Sequence, residues 1–240
     1  GFGKSHKMIQ WLEQQTLNPL NTRRIIVNSG MVKHEILENS RFPEPRIHVV
    51  RNGVEKEKWE SGKREQTREK WGFKESDYVL LFAGSGWERK GLKYVLDAVR
   101  ALKGNCKLVV AGKGKPPVFC PPNVTFLGPV ADLENAYAAA DLLVFPPIYE
   151  PSANVVFEAL AAGLPVVTSG CNGAAEVIEE GINGTVVADP SDVETLVGAI
   201  ESWRTRPDVR PVPVKADLSL ERNVRETLEV LTLAANEKSG

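Results

Sequence analysis

The sequence is poor in the residues that hold metals and disulfides. It has three cysteines and three histidines in 240 residues. Cys106, Cys120 and Cys171 form no Cys-x-x-Cys pair, and His6, His34 and His48 lack ligand spacing. An odd, scattered set of thiols excludes a disulfide framework and a zinc cluster, and it fits a reducing cytosol. No Asp-x-Asp occurs, so a divalent ion bridging phosphates has no obvious ligands. Long apolar runs are also missing. The longest such region, Ala136 to Ile148, is interrupted by Asp141, Pro146 and Pro147, and a spanning helix needs about 20 apolar residues. No secretory signal pattern opens the chain, so the expected location is cytoplasmic and any membrane contact peripheral. Excess charge is absent too. Thirty Lys and Arg stand against 31 Asp and Glu, a net charge of −1, which argues against nucleic acid as a partner.

What is present is an alternation of strand-like and helix-like segments. Short β-rich runs are expected at 24–28, 47–50, 78–83, 107–111, 124–127, 142–145, 165–168 and 184–187. Between them, Leu92, Val95, Leu96, Val99 and Leu102 repeat at helical spacing within 90–103. Helices are also expected over 132–140 and 152–162, from a Ser191 cap with Glu194 as its capping-box partner through Trp203, and over 220–235 behind a Ser219 cap. Continuous apolar strands such as Tyr78–Phe82 and Leu108–Ala111 imply burial on both faces. Together these predict an α/β fold with a doubly wound parallel sheet. Ligands of such sheets bind beyond the carboxyl ends of the strands. Arg51-Asn52-Gly53 reads as a turn, with polar residues 54–75 as a linker into the main domain. Pro207–Pro213 reads as a second boundary.

Two strand-end loops can carry chemistry. The first is Gly84-Ser85-Gly86-Trp87-Glu88-Arg89-Lys90-Gly91. Its glycines let backbone approach a ligand, and its helix start favours anions. It departs from a dinucleotide fingerprint, because Arg89 holds the third glycine position and no acid ends the next strand. Two adjacent cations suit a diphosphate instead; the plainer reading is a solvated helix start. The second loop is Glu150-Pro-Ser152-Ala153-Asn154-Val155-Val-Phe-Glu158, where backbone N–H groups of residues 152–155 are expected to be free for a sugar or anion. Glu150 and Glu158 are a poor glycosidase pair. Eight helical residues span roughly 12 Å, whereas such carboxylates lie about 5–9.5 Å apart. Hydroxyl binding suits them better. Alone, Glu150 reads as a helix-dipole partner and Glu158 as a solvated acid. The run Ala161–Ser169 reads as a packed helix-to-strand turn, and 170–176 as a weak candidate for lining the site.

Taken together, the 50–54 turn, the Arg89-Lys90-Gly91 loop, Asn123–Val130, Ala139-Ala-Asp141 and the Glu150-x7-Glu158 motif running on to Val167 resemble the family 4 glycosyltransferases. Within that family the chain looks most like the subgroup that glucosylates lipopolysaccharide-core heptose. Many members have Phe-Gly where Ser152-Ala153 stand. The resemblance implies two Rossmann-like domains across a cleft, of which this chain holds the C-terminal, nucleotide-sugar-binding one (51–206), a remnant of the N-terminal acceptor domain (1–50), and a linker with a final helix that packs on the N-terminal domain (207–240). Only about 50 residues precede the linker, so a truncation, or a skipped segment near residue 4, is expected.

The same resemblance implies roles. Arg89 and Lys90 hold the donor diphosphate; Glu150 binds sugar hydroxyls. Gly84 and Ser85 line the loop, and backbone of Ser152, Ala153, Asn154 and Val155 meets sugar and phosphate. Glu158 binds the ribose, and backbone at Val130 the base, uracil. The implied reaction is retaining hexosyl transfer, of glucose, from a UDP-sugar to a glycan or lipid-linked glycan such as lipopolysaccharide core. No cofactor is expected. Departure of a diphosphate builds negative charge that needs cations or helix dipoles, which Arg89, Lys90 and the helix start can supply without metal. The alternatives are an epimerase or phosphorylase of the same fold, or a non-catalytic sugar-nucleotide module.

Overall fold

The structure, a computed structural model, describes residues 2–206 and 209–237. Gly1, with Pro207 and Asp208 at the start of the expected proline-rich boundary, lies outside the described residues. The N-terminal segment holds α1 (Phe2–Thr16), β1 (Ile25–Val27), α2 (Gly30–Asn39) and β2 (Ile47–Val49). β1 and β2 pair in parallel around a small core of Val27, Phe42 and Ile47. Helix α1 has no counterpart in the sequence expectations.

The main sheet contains β3 (Tyr78–Ala83), β4 (Cys106–Ala111), β5 (Val124–Gly128), β6 (Leu142–Phe145), β7 (Val166–Ser169) and β8 (Gly184–Val187). All its pairings are parallel, in the order β5-β4-β3-β6-β7-β8. Counted from β3, that is 3-2-1-4-5-6, the doubly wound order whose direction reverses between the first and fourth strands. The ends of β3 and β6 therefore flank the crevice. Residues 79–83, 108–111, 142–145 and 166–169 are all buried, as strands covered by helices on both faces must be. The covering helices are α5 (Leu92–Ala101), α6 (Leu133–Ala139), α7 (Asn154–Ala161) and α8 (Val193–Arg204). On α5, Leu92, Val95, Leu96 and Val99 face the core while Lys93 and Arg100 face water. Cys106 lies in the core, where burial pushes its thiol up to about 12.

Three local expectations are corrected. Residues 54–75, expected as a polar linker into the main domain, contain two helices, α3 (Lys56–Glu60) and α4 (Arg64–Lys70), held by tertiary contacts. Trp59 is buried edge-on against Tyr137 at 5.4 Å. Arg64 and Arg68 both pair with Asp141, whose carboxylate also accepts the Val79 N–H at 2.7 Å. The cap of α8 is Asp192, not Ser191: its carboxylate accepts from Thr195 N–H, while the Ser191 hydroxyl donates to Asp189. A carboxylate at the positive helix end is favoured by the helix dipole as well. Finally, α7 begins at Asn154 rather than Ser152.

Ser219 does cap α9 (Leu220–Asn236) through Arg222 N–H. The buried Arg222 guanidinium donates to the carbonyls of Arg51 and Asn52, 2.9 Å each, and so pins the final helix to that turn. Its other face, with Val224, Leu228 and Leu231, is exposed. An open concavity of about 810 Å³ runs along that face, lined by Leu220, Val224, Leu228 and Leu233 among charged residues, and it carries none of the candidate site residues.

Candidate functional site

The site begins where β3 and β6 end. After β3 the chain turns at Gly84 and reaches α5 through Gly91. Gly91 has φ 79°, and a Cβ there would sit 1.9 Å from the Pro146 carbonyl oxygen. Only glycine lets this loop lie so close to the loop after β6. Gly84 leaves space of a second kind: a Cβ there would meet Lys90 Nζ at 2.9 Å. The Lys90 side chain thus folds back over the end of β3, with Nζ 5.7 Å from the centre of the Phe145 ring at the end of β6. Ser85 accepts the Lys113 N–H at 2.9 Å, which joins this loop to the one after β4.

The two loops are stitched together. Ile148 N–H donates to the Arg89 carbonyl at 2.9 Å, and the Arg89 guanidinium donates to the Tyr149 carbonyl. Arg89 Nη1 also lies 3.2 Å from Glu150 Oε2. The two are charge-paired at that distance, but the N–H is not aimed at the oxygen as a hydrogen bond requires. Glu150 Oε2 accordingly has no hydrogen-bond partner, and neither does the buried Ser152 hydroxyl. Buried oxygens without partners are costly and rare; here two fall within three residues. Glu150 sits in the loop ahead of the helix, paired with a cation from the neighbouring loop, and so is not simply a helix-dipole partner.

The expectation for the start of α7 changes in one respect. The Ala153 N–H is not free, because it donates to Asn172 Oδ1 at 3.2 Å. The Asn154 side chain accepts from Asn52 in the turn before α3. The N–H groups at the start of a helix have no acceptor within it, so the backbone at Asn154 and Val155 keeps that capacity. Glu158 is no solvated acid: it accepts the Tyr137 hydroxyl at 2.8 Å. Burial raises its pKa, while the Tyr137 hydrogen bond and the charges of Lys58 and Lys90 oppose that rise. The field of Lys90 thus reaches Glu158.

Val130 stands apart from this group. It lines a 520 Å³ depression with Lys63, Thr67, Trp71, Pro129 and Asn135, and none of Arg89, Lys90, Glu150 or Glu158 lines it. Val130 follows β5, the sheet-edge strand two places from β3.

Three residues near the site were not singled out by sequence reasoning. Trp87 donates its indole N–H to the Gly84 carbonyl and stacks at 5.4 Å on Phe126. Tyr149 donates to Glu35 of α2 at 2.7 Å; burial, then that bond, raises its hydroxyl to about 12. Asn172 is buried between β7 and α7. Trp87 and Asn172 lay within stretches that sequence marked, 84–91 and 170–176, but neither was given a role there. Among the described residues no group of three or more His, Cys, Asp or Glu could hold a metal ion, and no helix is long and apolar enough to cross a membrane.

A parallel doubly wound sheet with cations and acids meeting at its switch point defines a class of nucleotide-binding α/β domain. The chain belongs to the glycosyl transferases group 1 family, whose model matches residues 77–205. It is 32% identical over 204 residues to the uncharacterized glycosyltransferase MJ1607 of Methanocaldococcus jannaschii, covering 77% of this chain and 52% of that protein. It is 35% identical over 159 residues to the lipopolysaccharide glucosyltransferase WaaG of Escherichia coli, covering 61% and 42%. The chain therefore spans about half the length of these curated relatives. A crystal structure of WaaG, a glycosyltransferase involved in lipopolysaccharide biosynthesis, superposes with TM-score 0.70 at 26% identity over 91% of this chain and 60% of that one. Anabaena Alr3699/HepE, in complex with UDP and glucose, shares the fold with TM-score 0.69 at 18% identity, over 89% and 61%.

Proposed function

We propose that this chain is the donor half of a retaining, metal-independent glycosyltransferase that moves a hexose, glucose, from a UDP-sugar to a glycan or lipid-linked glycan acceptor such as lipopolysaccharide core. The observation that carries the reading is the joining of the Arg89-Lys90 loop to Glu150, with Arg89 Nη1 3.2 Å from Glu150 Oε2. A diphosphate needs cations and free N–H groups; a sugar needs acceptors and donors for its hydroxyls. Both sets occur side by side here.

In this reading Lys90 and Arg89 take the diphosphate and stabilise charge as the sugar–phosphate bond breaks. Backbone at Asn154 and Val155 adds the positive end of α7. Glu150 Oε2 and the Ser152 hydroxyl, buried without hydrogen-bond partners, gain them from the sugar. Glu158 takes the ribose hydroxyls and backbone near Val130 the base, with Gly84 and Ser85 shaping the loop. No cofactor takes part. Residues 51–206 are assigned to the donor unit, 1–50 to a remnant of an acceptor domain and 207–240 to a linker and final helix. The location that follows is the cytoplasm, at the inner membrane surface where a lipid-linked acceptor is used.

Calorimetry of the 240-residue chain with UDP-glucose, UDP-galactose, ADP-glucose and GDP-mannose tests this. UDP-glucose is expected to bind tightest, with the same affinity in EDTA. Failure of all four to bind overturns the reading.

A further inference from the structure

The loop that carries Glu150 and Ser152 is not held by its own strand and helix alone. Asn172 is 1% exposed. Its Oδ1 accepts from Ala153 N–H at 3.2 Å and from Ala174 N–H at 3.1 Å. Its Nδ2 donates to Thr168 Oγ1 at 3.0 Å, and that hydroxyl donates onward to the Phe145 carbonyl at 2.7 Å. One side-chain amide thus joins the ends of β6 and β7 to the residue before α7. The backbone repeats the tie on both sides: Glu150 N–H donates to the Cys171 carbonyl and Gly173 N–H to the Glu150 carbonyl, 2.9 Å each. Glu150 is thereby set in parallel register against Asn172.

We propose that Asn172 is a positioning residue for the sugar subsite: it fixes where the Glu150 carboxylate and the Ser152 hydroxyl stand relative to the start of α7, without itself touching the donor. This rests on the donor-site reading above. Two features separate this role from simple core filling. The amide occupies the Ala153 N–H, so the donor meets only the N–H groups beyond it and the helix start has one defined approach. Its amide reaches Ala153, next to Ser152, and its backbone register is with Glu150, whereas the cations assigned to the diphosphate, Arg89 and Lys90, stand on the separate loop between β3 and α5. Loss of Asn172 therefore loosens recognition of the sugar and leaves the nucleotide.

The test is calorimetric titration of the whole chain with UDP and with UDP-glucose. In Asn172→Ala the Kd ratio of UDP-glucose to UDP rises about tenfold, the change of one mispositioned hydrogen-bonding set, while UDP itself binds within about twofold of the unaltered protein. Asn172→Asp keeps both acceptor bonds next to a helix start that tolerates negative charge, and returns the ratio to within about threefold. If Asn172→Ala does not fold, Asn172→Ser makes the same comparison, because its hydroxyl caps Ala174 but is too short for Ala153. Equal weakening of both ligands, or no change in either, overturns the positioning role. If the unaltered chain binds neither ligand, the donor reading fails first and this inference falls with it.

Discussion

The two loops at the switch point are built in opposite ways. The Gly84–Gly91 loop is mostly exposed, and its Arg89 side chain is half in solvent. The 146–153 loop is buried at both ends, with Ile148 and Tyr149 exposed between, and is laced to residues 171–173 by backbone and side-chain bonds. Flexible cations can close on a diphosphate as charge develops, whereas stereochemical choice among sugar hydroxyls needs acceptors fixed beforehand. On the proposed donor site, the contrast would place adaptation at the phosphate end and rigidity at the sugar end.

The largest expected effect breaks the rigid side. At Gly173 a Cβ would lie 2.0 Å from the Pro151 carbonyl oxygen and 2.3 Å from Ser29 Oγ. Gly173→Ala should cost about 3 kcal/mol in denaturant unfolding, since buried backbone cannot yield. Gly86→Ala in the cationic loop meets nothing within 4 Å and should cost only the left-handed strain of its φ of 75°, about 1–2 kcal/mol. Equal losses would erase the contrast.

Next, Lys90→Ala should weaken UDP binding by about 30-fold, near 2 kcal/mol for lost charge-assisted bonds, with little change in unfolding midpoint. A large stability loss instead would make Lys90 structural.

A smaller, two-signed effect is expected at Glu158. Burial raises its pKa above the ordinary 4.5, so the folded state binds the proton more readily than the unfolded chain. This contribution to stability is fully present below 4.5 and is lost as pH rises through the raised value. Glu158→Gln should therefore melt at a higher temperature at neutral pH and flatten that acid-side dependence. It should also weaken UDP binding by about five- to tenfold through the ribose. A lower melting temperature at pH 7 would contradict the assignment. The smallest effect is none: EDTA should leave UDP-glucose affinity unchanged, and a fall reversed by added divalent ion would reopen the question of metal.

The fold was legible where burial dominates. Tyr78–Ala83, Leu142–Phe145 and Gly184–Val187 match the observed strands end to end, because short apolar runs bounded by polar turns leave little choice. Helices α3 and α4 were not legible. They are short and mostly polar, and Trp59 on Tyr137 together with two arginines on Asp141, about 70 residues away in sequence, holds them. The α8 cap failed by one residue because two adjacent polar residues can both cap, and Asp189 drew the Ser191 hydroxyl away. At the candidate site, sequence picked out both loops because ligands of such sheets gather at strand ends. It could not show that Asn172 occupies the Ala153 N–H: Ala153 lies 19 residues from Asn172, and nothing local marks the contact.

The central claim is that both loops form one sugar-nucleotide site, and amide chemical-shift titration with UDP-glucose tests it most directly. The account predicts that resonances of Ser85–Gly91 and of Glu150–Val155 shift together and saturate with a single Kd. Shifts confined to one loop, or two loops saturating at different Kd values, would contradict it.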